Sequence, residues 1–226
     1  MTAMTPRIIS NPQEVIYPTG DGTPVAETYD HMYALFLTLE VLRQYLIGQQ
    51  ATVLGNQFMY YAQNYPRLRV APDVMVIFGV EPGGRDSFKT WEEGATPAVI
   101  FEMTSAGTRK KDEADKYELY ENLGVIEYWQ FDPRNEWIEG QLRGYQLVDG
   151  AYRPIEDSIS QVLQLKLRVE DTLIEFYKLD TGEKLLVPDE LRGRWLEAKQ
   201  EATQAKQEIE KLKQKLRDLG IDPDQT

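Results

Sequence analysis

Two acidic residues, Asp73 and Glu102, stand in segments that are otherwise apolar. Asp73 follows Pro72 and precedes the run 74–78, and Glu102 interrupts the run 98–103. A carboxylate within a buried strand is costly unless it is paired or binds a metal ion. Carboxylates on neighbouring strands are the oxygen ligands that Mg²⁺ prefers. The pair therefore predicts a magnesium site, in which Mn²⁺ can substitute, although each residue alone is more often a turn or edge residue.

A lysine on the segment after Glu102 is the third candidate. Asp112, Lys116 and Tyr120 are four residues apart, so they share one face of a helix predicted over 108–122. Because Lys116 lies beside apolar positions of that helix, we expect it to point toward the sheet. The alternative is a surface helix in which Asp112 and Lys116 form an ion pair.

The elements that must position these residues follow from hydrophobic periodicity. Apolar residues three and four apart predict a helix over 25–47, capped by Thr23 or Thr28. The β-rich runs 53–61, 74–80, 98–103 and 126–131 predict strands. The run 98–103, the charged helix and the run 126–131 form a βαβ unit, which predicts neighbouring parallel strands.

Two glycine turns predict hairpins. Asp149-Gly150 separates the runs 140–147 and 151–155, and Thr181-Gly182 separates 173–179 and 184–187. The predicted fold is α/β, with a mixed β-sheet flanked by helices. We predict an extended segment over 1–24, the globular domain over 25–187, a C-terminal helix over 188–219 and a tail over 220–226.

The C-terminal helix carries a heptad repeat in register from Leu191 to Leu219. Glu201 and Glu208 occupy position g and would face Lys206 and Lys213 at position e of a parallel partner. This pattern predicts a coiled coil and a homodimer; the alternatives are a helix folded back on the core or a solvated helix. Positions a and d hold Leu191, Trp195, Ala198, Ala202, Ala205, Ile209, Leu212, Leu216 and Leu219.

Composition limits the function classes. The 25 basic and 37 acidic residues give a net charge of −12, which opposes binding to phosphate backbones unless a local basic patch, bound cations or a partner compensates. The absence of cysteine excludes disulfides, thiolate zinc sites and cysteine nucleophiles. No apolar run long enough to span a bilayer and no secretory signal are visible, which predicts a cytoplasmic location.

Five segments together resemble the Uma-two family of restriction-endonuclease-like proteins in the PD-(D/E)XK nuclease superfamily. The resemblance covers about residues 25–180 and is most specific over 99–133, where strand, Glu102, Lys116 and Asp132-Pro133 follow in order. It implies a restriction-endonuclease-like core and an endonuclease that hydrolyses phosphodiester bonds in nucleic acid, with DNA the expected substrate. The segments are 71–76, 99–105, 112–116, 120–124 and 127–133.

The same resemblance implies a metal shell. Asp73 and Glu102 match the two metal ligands of the superfamily, together with the backbone carbonyl of Met103. Glu27 matches the glutamate on the first helix that completes the shell. His31 is the only histidine and lies four residues after Glu27, on the same helical face. It is an accessory candidate, and a buried or capping imidazole is the alternative.

The catalytic lysine is displaced. Thr104 stands two residues after Glu102, where the superfamily usually has a strand lysine, and Lys116 matches a lysine that this family carries on the following helix. Asp112, on the same helical face, is a further accessory candidate.

Two other functions are weighed against the nuclease. An inactive interaction module that assembles through its coiled coil fits the net charge, Thr104 and the heptads. A hydrolase of small phosphate esters lacks support, because residues 82–85 have no phosphate-loop lysine. Binding of Mg²⁺ discriminates, since only the nuclease requires Asp73 and Glu102 to converge.

Overall fold

The computed structural model describes residues 15–20, 27–104, 112–220 and 222, with the side chains of residues 112 and 113 left out. Its helices are α1 (Tyr29–Tyr45), α2 (Thr90–Glu93), α3 (Asp112–Leu123) and α4 (Pro188–Asp218). Its strands are β1 (Ala51–Gly55), β2 (Met59–Tyr60), β3 (Arg69–Val70), β4 (Val74–Phe78), β5 (Phe88–Lys89), β6 (Val99–Met103), β7 (Glu127–Phe131), β8 (Leu142–Val148), β9 (Ala151–Ile155), β10 (Ile159–Ser160), β11 (Leu165–Glu170) and β12 (Leu173–Lys178).

A six-stranded mixed sheet is the centre of the fold, in the order β1-β4-β6-β7-β8-β9. β4 runs antiparallel to β1 and β6, while β6 and β7 are parallel and connected through α3. The predicted α/β class, the mixed sheet and the parallel pair are therefore confirmed. Two small sheets accompany it, β10-β11-β12 and β3-β2-β5.

Side-chain alternation along the central strands separates two apolar layers. Val74, Val76 and Phe101 pack on the side of α1 and the sheet β10-β11-β12. Met75 and Ile100 pack on the opposite side, with residues of α3, β2 and β5. Asp73 and Glu102 have the parity of this second set, so both carboxylates belong to the face that α3 covers.

The first helix begins later than the sequence predicts. Thr28 is the N-cap, its hydroxyl accepting from the His31 N–H at 3.4 Å, and the helix runs from Tyr29 to Tyr45. This confirms Thr28 as the cap, whereas Thr23 lies outside the described residues. Glu27 therefore precedes the helix, so its predicted place within the helix is wrong, although its carboxylate still faces His31, with Oε2 3.9 Å from Nδ1.

The prediction of a single strand over 53–61 is wrong, because this run forms β1 and β2, which belong to two different sheets. Asn56 separates them with a φ of 50°, a conformation that breaks an extended strand. At the second glycine turn, residues 184–187 contribute only the bridge of Lys184 to Tyr177, and β12 pairs mainly with β11. The Asp149-Gly150 hairpin is confirmed, with φ values of 53° and 80° that suit a tight two-residue turn.

The C-terminal helix is confirmed as a single long element, and almost all of its residues are exposed. Trp195 is 59 % exposed and Leu212 54 %, so the predicted heptad stripe faces solvent in the isolated chain. Of the predicted helix over 108–122, the part before Asp112 lies outside the described residues. No helix in the described parts of the chain is long and apolar enough to cross a membrane.

Candidate active site

The register of the central sheet brings the two carboxylates together. Val74 pairs with Phe101 in the antiparallel ladder of β4 and β6, so Asp73 and Glu102 are the next opposing positions. The side chains of Asp73 and Glu102 are 15 % and 7 % exposed. The Met103 N–H donates to Oδ2 of Asp73 at 2.7 Å, which ties the start of β4 to the end of β6.

Helix α3 contributes two donors to Glu102. Lys116 Nζ lies 2.8 Å from Oε2, and the hydroxyl of Tyr120 donates to Oε1 at 2.6 Å. Residues four apart on a helix present one face, so both side chains reach the same carboxylate. Tyr120 is fully buried. Its hydroxyl was not among the predicted site residues, because a tyrosine beside apolar positions reads as core; the signal that could have found it is its place one turn after Lys116.

The electrostatics of the site act strongly on Asp73. Burial raises the pKa of Asp73 well above its ordinary value, and the charge of Glu102 raises it further. The Lys116 ammonium and the Met103 N–H oppose both effects only in part. Among the described residues, Lys116 is the lysine whose charge offsets that of the two carboxyl groups.

The first helix places His31 between two carboxylates. His31 Nε2 lies 3.8 Å from Oδ2 of Asp73, and Nδ1 lies 3.9 Å from Oε2 of Glu27. The imidazole is buried, and Nδ1 has no hydrogen-bond partner in the described part of the chain. Burial lowers the pKa of His31, against the opposing charges of Glu27 and Glu102. Glu27 reaches the carboxylate pair only through His31, and the side chain of Asp112 lies outside the described residues.

Thr104 has a structural partner at the position where the superfamily carries a lysine. Its hydroxyl accepts from the Trp137 indole N–H at 2.7 Å and donates to the Phe131 carbonyl at 3.2 Å. Asp132 is fully buried and accepts backbone N–H bonds from three residues, which fixes the loop that holds Trp137. A cavity of about 100 Å³ between His31, Thr104 and Trp137 adjoins the site.

The donor set fits a hard divalent cation. Mg²⁺ is commonly held by one or two carboxylates, with waters and substrate phosphates completing its shell. Asp73 and Glu102 supply such a pair, and their mutual repulsion disappears when a cation lies between them. Among the residues that the structure describes, no group of three or more His, Asp or Glu side chains is arranged to hold a metal ion. Asp73 and Glu102 are therefore the described carboxylates whose chemistry fits such an ion.

Comparison with known proteins identifies a family and solved structures with a similar fold. A family model named Uma2 (Uma-two), described as "Putative restriction endonuclease", matches residues 7–195. A crystal structure described as that of a "putative nuclease belonging to DUF820" from Anabaena variabilis is similar at a TM-score of 0.45 and 13 % identity, over 62 % of this chain and 74 % of that one. No curated protein matches the chain.

Proposed function

Because the chain belongs to the Uma-two family, we propose that it is a Mg²⁺-dependent endonuclease that hydrolyses phosphodiester bonds in nucleic acid, DNA being the expected substrate. The observation that carries this proposal is the meeting of a partly buried carboxylate, Asp73, and a buried one, Glu102, with the ammonium of Lys116 at one end of the sheet. Metal-dependent hydrolysis of a phosphodiester uses carboxylates that bind the metal ion and a cation that stabilises the charge of the transition state.

Asp73 and Glu102 would hold the metal ion with their carboxylates, together with the backbone carbonyl of Met103. The carboxylate of Glu27 lies on the far side of His31 and would act on the ion only through that imidazole. When bound, Mg²⁺ polarises a phosphodiester oxygen and makes a water a stronger nucleophile. The Met103 N–H keeps one oxygen of Asp73 oriented, because it donates to Oδ2. His31 lies between Glu27 and Asp73, so a shift of either carboxylate can move the imidazole and through it the other carboxylate.

Lys116 has two partners in this proposal. In the structure its ammonium neutralises Glu102, with the lysine side chain 25 % exposed. A phosphodiester that approaches the pair brings negative charge, which grows on the phosphoryl oxygens and the leaving oxygen during hydrolysis. The Lys116 ammonium then stabilises that negative charge. An oriented cation in a partly buried site interacts more strongly with a charge than a cation in water does.

Tyr120 is a positioning residue for Glu102. A buried carboxylate oxygen without a donor costs free energy, so the hydroxyl on Oε1 fixes one oxygen, while Oε2 accepts from the Lys116 ammonium, which a metal ion would displace. Burial, and next the charge of Glu102, raise the pKa of Tyr120 well above its ordinary value, so the phenol stays protonated and continues to donate. Groups that orient metal ligands in this way commonly change metal affinity or activity 10- to 100-fold when removed, a range on the order of those seen in metalloenzymes.

The proposal is tested by two measurements on the same protein. Cleavage of supercoiled, linear and single-stranded DNA is followed with Mg²⁺, Mn²⁺ or EDTA, and Mn²⁺ binding is measured by titration calorimetry. We expect metal-dependent cleavage by the wild type, with both cleavage and Mn²⁺ binding lost in Asp73→Asn. Glu183→Gln is the control, because it also replaces a carboxylate with an amide, but on the surface, where Glu183 pairs with Lys178. Wild type that neither cleaves nor binds Mn²⁺ contradicts the proposal.

A second function is favoured by one observation, the exposed apolar stripe of α4. Such a stripe suits a parallel coiled coil with a second copy of the chain, in which Glu201 and Glu208 face Lys206 and Lys213. We include this homodimer in the proposal for the nuclease. The same helix supports the alternative of an inactive module that only assembles, and Mn²⁺ binding separates the two, since the module has no need of a metal.

A further inference from the structure

The charge of the chain is distributed unevenly. In a protein with 37 acidic residues, none occurs between Glu40 and Asp73, whereas Arg43, Arg67 and Arg69 fall in that interval. A net charge of −12 opposes a nucleic-acid substrate, so a nuclease needs a local region where the repulsion is absent. The acid-free interval ends at Asp73, the first carboxylate of the candidate site. The position of this interval in the fold therefore decides whether it can contact a substrate at the site.

The sheet register puts part of this interval beside the site. β1 ends opposite β4, with Gly55 paired to Val74, so the chain leaves the sheet next to Asp73. The N–H of Asn56 donates to the carbonyls of Pro72 at 3.0 Å and Asp73 at 3.1 Å. Between these two points the chain forms β2, a connecting loop and β3. We call residues 59–70 the arginine hairpin; both of its ends lie at the end of the sheet that carries the candidate site.

The arginine hairpin is anchored at its base and ordered along its loop. Met59 and Tyr60 are fully buried, and β2 pairs with both β3 and β5. The loop contains two turns, closed by the Tyr65 N–H to Ala62 at 3.3 Å and by the Leu68 N–H to Tyr65 at 2.9 Å. An ordered surface loses less conformational entropy when a ligand binds.

The loop exposes one cation and one aromatic ring. Arg69 is committed internally, since its guanidinium stacks on Phe58 at 4.3 Å and donates to the Pro66 carbonyl at 3.0 Å. Arg67 is exposed, and no carboxylate among the described residues forms an ion pair with it. Tyr65 is 63 % exposed. A free guanidinium binds phosphate, and an exposed ring stacks on any unpaired base.

The neighbouring acidic residues do not cancel this surface. On helix α2, which follows β5 of the same small sheet, Glu92 pairs with Lys89 at 3.0 Å and Glu93 pairs with Arg85 at 2.8 Å. Each of these carboxylates is therefore balanced by its own cation. The arginine hairpin keeps its positive charge beside a site that is otherwise acidic.

We propose that the arginine hairpin is the nucleic-acid docking surface of the enzyme, with Arg67 on a backbone phosphate and Tyr65 stacked on an unpaired base. This inference rests on the proposed nuclease function and names its substrate more closely, as a single-stranded segment that passes from the hairpin to Asp73 and Glu102. An acidic protein partner would use Arg67 but gain nothing specific from a stacking ring.

The test measures binding apart from cleavage. Fluorescence anisotropy follows a labelled single-stranded oligonucleotide and its duplex in Ca²⁺, which takes the same oxygen ligands as Mg²⁺, over a range of salt. We expect Arg67→Ala to weaken binding and to reduce the slope of log K against log salt by about 0.7 for the single strand. We expect Tyr65→Ala to weaken single-strand binding about tenfold and duplex binding much less.

Two control variants make the same kinds of substitution, an arginine to alanine and an aromatic residue to alanine, away from the arginine hairpin. Arg153→Ala removes an exposed arginine from β9, at the opposite edge of the central sheet, and Phe36→Ala removes an exposed ring from α1. Both should bind like the wild type. If Arg67→Ala and Tyr65→Ala also bind like the wild type while Mg²⁺-dependent cleavage persists, the docking surface is overturned and the nuclease stands. If the wild type cleaves nothing and binds neither oligonucleotide, both proposals are overturned.

Discussion

The Nζ atom of Lys116 lies 2.8 Å from Oε2 of Glu102, although the two residues belong to a helix and to a strand. Helix α3 crosses the face of the sheet toward which the side chain of Glu102 points. Lys116, one turn into the described part of the helix, therefore reaches the carboxylate of Glu102 on β6. A cation delivered from the helix takes the place of one on the strand, where Thr104 is engaged with Trp137 instead.

Tyr120→Phe tests the positioning of Glu102. The substitution removes the donor to Oε1 and leaves that oxygen buried and unsatisfied. We expect Mn²⁺ affinity and the cleavage rate each to fall 10- to 100-fold, on the order of the effects seen for groups that orient metal ligands. Calorimetry and a single-turnover cleavage assay check this.

Tyr152→Phe is the matched control for that variant, because Tyr152 is also buried and donates to a backbone carbonyl, that of Val125, at 3.0 Å. Both variants should lose stability, but only Tyr120→Phe should lose Mn²⁺ affinity. Equal Mn²⁺ affinity in the two variants would leave Tyr120 with a structural role alone.

Asp73→Asn should stabilise the metal-free protein at neutral and alkaline pH. Burial, and next Glu102, raise the pKa of Asp73 in the folded state above that in the unfolded chain. The folded state therefore binds more protons between these two pKa values, and the free energy of unfolding falls as pH rises through that interval. Above it, the wild type bears the whole cost of the ionised carboxylate, which the asparagine variant avoids.

Thermal unfolding in EDTA measures the effect. We expect a higher Tm for Asp73→Asn at pH 8, by about 2–4 °C for each kcal/mol recovered in a protein of this size. The advantage should shrink as pH falls toward the ordinary pKa of aspartate. A lower Tm for the variant at pH 8 would mean that the ionised carboxylate of Asp73 stabilises the folded protein, which would contradict this prediction.

The α4 stripe predicts a concentration-dependent dimer. Replacing Ile209 and Leu212 with glutamate puts charges at positions a and d of the heptad, where a parallel partner would bury them. We expect light scattering to show a dimer for the wild type and a monomer for this double variant. Gln200→Glu with Gln207→Glu adds the same charge at the outer position f and should stay dimeric. A monomeric wild type at high micromolar concentration rules out the homodimer.

Gly144→Ala tests the packing of the central sheet. A Cβ on Gly144 would lie closer to the Trp129 ring than real Cβ atoms approach, and that ring is fully buried. Overpacking of this kind costs about 1–3 kcal/mol of unfolding free energy. Gly193→Ala on α4 meets open space and should stabilise by about 1 kcal/mol, as alanine does in a helix. Denaturant unfolding compares them, and equal stability of Gly144→Ala and the wild type would contradict this packing.

Residues whose type conflicts with their surroundings were predictable from the sequence. Glu102 within an apolar strand, Asp73 before one and Lys116 beside an apolar helical stripe all depart from their context, and the structure brings the three together. The βαβ unit was predictable as well, because its strands and helix differ in hydrophobic period. These features are local in the sequence, so reading them needs no knowledge of the fold.

Features that depend on pairing were not predictable. β2 and β3 have two residues each, too few for an alternating pattern, so β2 was merged with β1 into one predicted strand and β3 was not predicted. The start of α1 at Tyr29, which leaves Glu27 outside the helix, depends on which of two threonines caps it. The hydroxyl of Tyr120 gained its partner only when α3 was packed against the sheet.

The most direct test of the account is Lys116→Gln, measured for cleavage and for Mn²⁺ binding together. Glutamine keeps an N–H donor for Glu102 and removes the charge. Lys178→Gln is the control, because Lys178 forms an equally short ion pair with Glu183 on the surface. We expect Lys116→Gln to lose cleavage while Mn²⁺ binds as well as or better than in the wild type, since the competing ammonium is gone. Cleavage at the wild-type rate would contradict a catalytic role for Lys116.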